Sequence, residues 1–515
     1  MSRRLLFGIG PGLILVALAL AGSAEPRPNG TTLRFEVMVS KDLPIEARDG
    51  RLLITLERGK EGEPRRRIGE TGMNAPPLLG RDVKAFAPGA TASVDQSAAI
   101  FPISHLAALP AGEYVVQAVF ATNRDLQLAN APGNLYSDPV VVAIDPAKGG
   151  VVPLHLTKQV SADELPKELE NVKWVKLKSE LLSKFHGRPM YLRAGVVLPT
   201  GFDKDRERHF PLRVHIGGYG TRYTSAKHFA APTDPDVPRF VLLHLDGAGP
   251  YGDPYQVNSA NNGPYGDAVL QELIPHVEKT YRCIGKPWAR VLDGASTGGW
   301  VSFALQVYYA DFFNGCWSHC PDPVDFRAYE LIDIYKDANA YVNKHGFERP
   351  ACRDVEGETV YTVRHECQLE VVLGRGDRWE LSGKDWCAWN ATFGPRGADG
   401  LPKPLWNGKT GTIDRSVLER WEQYDLRLVL ERNWALLGPK LHGKIHIWVG
   451  EGDDYFLNNA VHLLDDFLVK AKPAYGGKIT FVPRTGHGVG GLTEKEMLKE
   501  MMDAVERGRK AAEGR

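Results

Sequence analysis

From about residue 32 to residue 156 apolar side chains recur at every second position, as in Leu33, Phe35, Val37 and Val39 and again in Tyr114, Val116, Ala118 and Phe120. A period of two places one face of an extended segment in a core and the other in water, which predicts half-buried strands. Further strand-like runs at 52–56, 140–144 and 151–156, separated by turns containing Gly and Pro, predict a small antiparallel β-sandwich over 32–156. The polar stretch 161–170 reads as the centre of a linker, 157–171. Beyond it the pattern changes. Short continuous apolar runs at 212–216, 240–245 and 291–292 read as fully buried strands, whereas Leu270, Leu273, Ile274, Val277 and Tyr281 follow helical spacing. This alternation predicts a mostly parallel sheet flanked by helices over 172–507. Thr493 and Glu496 form a capping box ahead of Met497, Leu498, Met501 and Met502, a last amphipathic helix, with 508–515 left as a tail.

An insertion of about 322–440 interrupts the α/β pattern and holds six of the chain's eleven tryptophans: Trp379, Trp386, Trp389, Trp406, Trp421 and Trp434. They are expected to be mainly a subdomain core, with one or two turned toward a ligand.

Across its 515 residues the chain carries 63 Lys and Arg against 63 Asp and Glu. Without net charge there is no long-range field to recruit nucleic acid or an anionic membrane. Arg3 and Arg4 precede an apolar run, 5–21, and Gly22-Ser23-Ala24 supplies a small-residue cleavage site. Residues 1–24 therefore read as a signal peptide, with 25–31 a short linker, and the mature protein is expected to be secreted or periplasmic. Gly8, Gly10, Pro11 and Gly12 break the apolar run, so no stable membrane span is expected after cleavage. All six cysteines lie in the second half of the chain, and either disulfides or core packing fits an exported protein. Cys316-Trp317-Ser318-His319-Cys320 lacks the second ligand pair of a zinc site, so no metal and no other cofactor are expected.

The chemistry is carried by Gly294-Ala295-Ser296-Thr297-Gly298, which follows a strand-like segment and precedes a helix-like one. A sharp strand-to-helix turn exposes the serine hydroxyl, and the glycines leave room for the close backbone approach it requires. A serine nucleophile needs a base, and the base an orienting carboxylate. The strand-like run 445–449 leads into Gly450-Glu451-Gly452-Asp453-Asp454, with Asp453 the candidate acid and Asp454 the near alternative. The run 479–482 leads into Arg484-Thr485-Gly486-His487-Gly488, with His487 the candidate base. The order serine, acid, histidine is that of an α/β-hydrolase. Gly217-Gly218-Tyr219-Gly220 follows an early strand, and the N–H groups of Tyr219 and Thr297 are the expected oxyanion donors.

With these residues in place the chain resembles the esterase D-like family of α/β-hydrolases over about 172–507. The resemblance also rests on Asn262-Gly263-Pro264-Tyr265-Gly266-Asp267 leading into Glu272-Leu273-Ile274-Pro275. It implies an α/β-hydrolase fold with Ser296 as nucleophile, Asp453 as acid and His487 as base, and an ester substrate that is a small molecule or a glycan, such as a polysaccharide, aryl or siderophore ester. Gly218, Asn262 and Tyr265 are expected beside that substrate. Acyl transfer to another hydroxyl, or a carbohydrate-binding protein whose hydrolase fold has lost activity, are the competing expectations; the oligomeric state stays open.

Overall fold

The computed structural model describes residues 30–514 except 73, 163, 230–233, 235 and 489. The expected signal peptide and most of the linker 25–31 lie outside the described residues. Among the described residues no helix is long and apolar enough to cross a membrane.

Nine strands form the first unit: β1 (Arg34–Val39), β2 (Arg48–Arg58), β3 (Leu78–Phe86), β4 (Thr91–Val94), β5 (Ala99–Phe101), β6 (Gly112–Ala121), β7 (Leu135–Ser137), β8 (Val140–Ile144) and β9 (Val151–Gln159). The expectation of a purely antiparallel sandwich needs correction. The strands hydrogen-bond in one path, β4-β1-β9-β7-β6-β2-β3-β5 with β8 also on β6, and β1 runs parallel to β9. The alternating residues do what their period dictates, with Phe35, Val37, Ile54, Val116, Ala118 and Leu154 sharing one core. The middle of β2 and of β6 is buried on both faces. Their outer faces pack Leu53 and Val119 against Leu369 and Val372 of a helix in the insertion, Val363–Leu373. Arg51 crosses the same seam, donating to the Val372 carbonyl at 2.9 Å and to Asp377 at 2.7 Å.

The second unit begins at β10 (Val172–Ser179), followed by β11 (Met190–Val197), β12 (Leu212–Ile216) and β13 (Val241–Leu245). A two-residue hairpin follows, β14 (Asn258–Ser259) and β15 (Gly263–Pro264), then β16 (Arg290–Ala295) and β17 (Cys316–His319). Inside the insertion lies a second hairpin, β18 (Pro350–Arg353) and β19 (Thr359–Thr362), and after it come β20 (Ile445–Gly450) and β21 (Lys478–Val482). The eight-stranded sheet has the order β10-β11-β13-β12-β16-β17-β20-β21. β11 is antiparallel to both neighbours, and every pair from β13 to β21 is parallel. Beneath it a buried ion pair ties two strands: Arg213 grips Asp293 through two 2.8 Å bonds, and His215 donates to the same carboxylate.

Two helical expectations change in detail. The segment expected as one helix around Leu270 to Tyr281 passes through a π turn, Val269–Leu273, before its last stretch, Ile274–Thr280. Pro275 has no N–H to give the ladder, and the chain widens there. The C-terminal helix runs Glu494–Glu513 with the expected capping box, so the expected tail from 508 is largely helical. All six tryptophans of the insertion are buried, none more than 5% exposed. The six cysteines are buried and unpaired.

Candidate active site

The turn from β16 into the helix Thr297–Tyr308 is as tight as the glycine spacing demands. Ser296 has φ 58° and ψ −125°, a strained conformation for a residue with a side chain. It is clamped by its own N–H on the His319 carbonyl at 3.0 Å and by its carbonyl accepting from Trp300 N–H at 3.0 Å. A Cβ at Gly298 would stand 2.0 Å from the Ile216 carbonyl oxygen, and one at Gly294 would stand 2.4 Å from that of Gly298. Only bare glycines let β12 and its loop press this closely on the elbow.

The same closeness sets the oxyanion side. A Cβ built on Gly218 would lie 3.9 Å from that of Ser296, so the loop after β12 borders Ser296. Tyr219 anchors that loop by donating its hydroxyl proton to the Gly383 carbonyl at 2.8 Å. Thr297 is the first residue of its helix, where an N–H has no acceptor within the helix and is free to face a developing negative charge.

At the far end of the sheet β20 and β21 deliver the other two candidates. A Cβ at Gly450 would collide with the Thr485 carbonyl oxygen at 2.2 Å, so this glycine lets the histidine loop fold against the acid loop. His487 Nδ1 lies 2.8 Å from Asp453 Oδ2. Asp453 is fully buried, and its Oδ1 accepts from the N–H groups of Tyr455 at 3.0 Å and Leu457 at 3.2 Å. Asp454 does a different job, accepting from the His487 backbone N–H at 3.1 Å. The two aspartates that the sequence leaves as alternatives are thus separated by geometry, one holding the ring and the other the main chain. Arg353 of β18 braces both, its Nε donating to the Asp453 carbonyl and its N–H to that of Asp454. Burial of His487 works against its charged form. The bond to Asp453 and the adjacent Cys320 thiol outweigh that, and its pKa lies above the ordinary histidine value.

Ser296 and His487 line one cavity of about 260 Å³. Its walls come from the insertion, through Glu330, Tyr361, Trp386 and Trp389, and from the first unit, whose Gly69 and Thr71 reach into it. The β-rich unit is therefore part of the cavity wall. Asn262 and Tyr265, expected beside the substrate, are not in this lining. Asn262 is buried, its backbone N–H donating to Ser259 Oγ at 2.8 Å and its side-chain amide to Thr392 Oγ1 at 3.3 Å, and Tyr265 is buried in the core below. Asn262 sits in the turn between β14 and β15 and Tyr265 begins the short helix Tyr265–Ala268 that follows, and both side chains are buried away from the cavity lining.

One residue at the centre carries no signal in the local sequence pattern. Asp322, three residues past the end of β17, accepts from Ser296 Oγ at 3.4 Å. Its second oxygen accepts from Tyr255 Oη at 2.5 Å, Thr297 Oγ1 at 3.0 Å and Trp389 Nε1 at 3.2 Å. Burial pushes its carboxyl up to about 6. Its position past the carboxyl end of a parallel strand, where ligand crevices open, was the available signal. In this arrangement the Ser296 hydroxyl is bonded to Asp322 and not to the imidazole; serine and base commonly close their bond only once substrate is bound.

Strand order, elbow, and acid and histidine on successive later strand ends make this an α/β-hydrolase fold. No protein-family model matches the chain, and no curated protein matches it. Among solved structures it is similar to a ferulic acid esterase, at 13% identity over 65% of this chain and 96% of that one, TM-score 0.36. It is likewise similar to an S-formylglutathione hydrolase from Agrobacterium tumefaciens, at 12% identity over 67% and 97%, TM-score 0.35. A third is the fluorophosphonate-binding serine hydrolase F of Staphylococcus aureus, at 12% identity over 65% and 97%, TM-score 0.36. The functional reading rests on the geometry of this chain.

Proposed function

We propose that the protein is an exported serine esterase that cleaves carboxylic esters through an acyl-enzyme. The observation that carries this reading is the strained elbow at Ser296 opening into the same cavity as an imidazole oriented by a fully buried carboxylate. In the reaction Ser296 Oγ attacks the ester carbonyl carbon while His487 Nε2 takes its proton. Asp453 accepts the Nδ1 hydrogen bond, fixes the tautomer that leaves Nε2 free, and stabilises the imidazolium. The carbonyl oxygen, now negative, faces the N–H groups of Thr297 and Tyr219. The C–O bond to the leaving alcohol breaks as His487 returns the proton to it, and the acyl group stays on Ser296. Water, deprotonated by His487, then attacks the acyl carbon and releases the acid. Export is supported by the basic and apolar character of the first residues alone.

The test is turnover of a small aryl ester by the folded protein and by Ser296→Ala. Loss of at least about a thousandfold in kcat/KM with unchanged thermal unfolding is expected, and retained turnover contradicts the reading.

A further inference from the structure

The cavity beside Ser296 is walled by more carboxyl groups than the ester reaction uses. Asp322, Glu330, Glu366 and Asp385 all line it. Against them stand His487, which is committed to Asp453, and Lys384, whose ammonium comes no closer than 4.0 Å to Asp385. Glu366 spends one oxygen on Trp386 Nε1 at 2.8 Å. Glu330 differs from the others. It is 5% exposed, and its Oε2 is buried with no hydrogen-bond partner. Its backbone is held at φ 51°, a conformation that disfavours a side chain. A buried acceptor left without a donor costs free energy, and a ligand that supplies the donor recovers it.

Much of the rest of the wall is aromatic. Trp386, Trp389, Tyr361 and Tyr455 border the same space, and such faces attract organic cations. Among the described residues no group of three or more His, Cys, Asp or Glu is arranged to hold a metal ion. An organic cation with N–H donors matches both the carboxylates and the rings. Burial, and after it the neighbouring carboxylates Glu366 and Asp322, hold the Glu330 carboxyl well above its ordinary range. A positive charge in the cavity offsets that repulsion.

We propose that this cavity selects esters carrying a primary ammonium group, with Glu330 accepting a hydrogen bond from the ammonium. The proposal rests on the esterase reading of Ser296 and names its substrate class. An aryl ester without N–H or O–H donors would leave Glu330 unpartnered, and a sugar ester would offer it only uncharged hydroxyl donors, so both would bind less well.

The experiment measures inhibition of neutral aryl acetate turnover in the full chain by n-propylammonium, n-propanol and tetramethylammonium. Propylammonium is expected to inhibit competitively at least about tenfold more tightly than propanol, the range of one hydrogen bond to a charged group. In Glu330→Gln that ratio should fall toward one, whatever the variant's absolute rate. Equal inhibition by propylammonium and propanol overturns the proposal. Tetramethylammonium binding as tightly as propylammonium overturns the hydrogen bond to Glu330, since it has no N–H to donate. If Glu330→Gln does not fold, Asp385→Asn should lower the ratio at least about threefold by removing one charge of the wall, and an unchanged ratio counts against the proposal. Failure here with Ser296 still reactive leaves the esterase reading standing, whereas an inert Ser296 removes both.

Discussion

Asp453→Asn and Asp454→Asn are adjacent, isosteric and chemically identical substitutions, and the structure assigns them different consequences. Asp453 Oδ2 accepts from His487 Nδ1 at 2.8 Å, while its Oδ1 serves two backbone N–H groups. An asparagine can still serve those N–H groups through its carbonyl oxygen, so the loop keeps its shape. Its NH2 then faces Nδ1 as a donor and forces the imidazole into the tautomer with the proton on Nε2. That nitrogen can no longer take the serine proton. The expected loss in kcat/KM is about 10⁴, or about 5.5 kcal/mol of transition-state stabilisation. Asp454 makes one 3.1 Å bond to the His487 main-chain N–H, and an asparagine oxygen can replace it. Its expected loss is under about tenfold, the worth of one weakened neutral-scale hydrogen bond. Steady-state kinetics on a neutral aryl ester, with circular dichroism to confirm folding, measures the ratio. Equal losses, or a larger loss at Asp454, would refute the assignment of the ring-holding carboxylate.

Three further outcomes follow from the same contacts. Because the base is the neutral imidazole and its pKa is raised above 6.5, kcat/KM should fall as pH drops through that raised value. The midpoint of the acidic limb should therefore lie above pH 6.5 in a pH–rate profile; a midpoint at or below it contradicts the orientation by Asp453. Gly298→Ala sets a methyl 2.0 Å from the Ile216 carbonyl oxygen, so elbow and oxyanion loop must separate. A loss of at least about a hundredfold in kcat/KM is expected along with a lowered Tm, and wild-type kinetics would show the contact to be soft. Arg213→Leu leaves the Asp293 carboxylate buried with only His215, and chemical denaturation should report a loss of about 3–5 kcal/mol. Burial alone would raise the Asp293 pKa, but Arg213 and His215 outweigh it and hold it below the ordinary range. Its contribution is present above the unfolded-state carboxylate value and is lost as pH falls through the depressed one, so the difference between the two proteins should shrink in strong acid.

What the sequence disclosed was local. The elbow, the capping box at Thr493 and the strands leading toward Asp453 and His487 each announce themselves through spacing that a single segment carries. The partition of work between Asp453 and Asp454 depends on where the His487 loop folds, which no local pattern encodes. Asp322, Tyr255 and Trp389 meet from three distant stretches of chain, and Glu330 is an ordinary acid in the sequence until burial removes its partners. In the first unit the alternation marks each strand by itself, but the parallel pairing of β1 with β9 joins residues more than a hundred positions apart. Within the expected tail from 508, a Cβ at Gly508 would meet that of Trp288 at 2.7 Å, so the glycine serves a close packing contact inside a helix that continues to Glu513.

The central claim is that Ser296 is a nucleophile activated by His487. An active-site-directed fluorophosphonate applied to the folded protein, followed by peptide mass spectrometry, tests it most directly. A single phosphonyl adduct on Ser296 is expected, absent from Ser296→Ala and formed much more slowly in His487→Ala. An unlabelled Ser296 in folded protein, or labelling that proceeds at the same rate without His487, would contradict it.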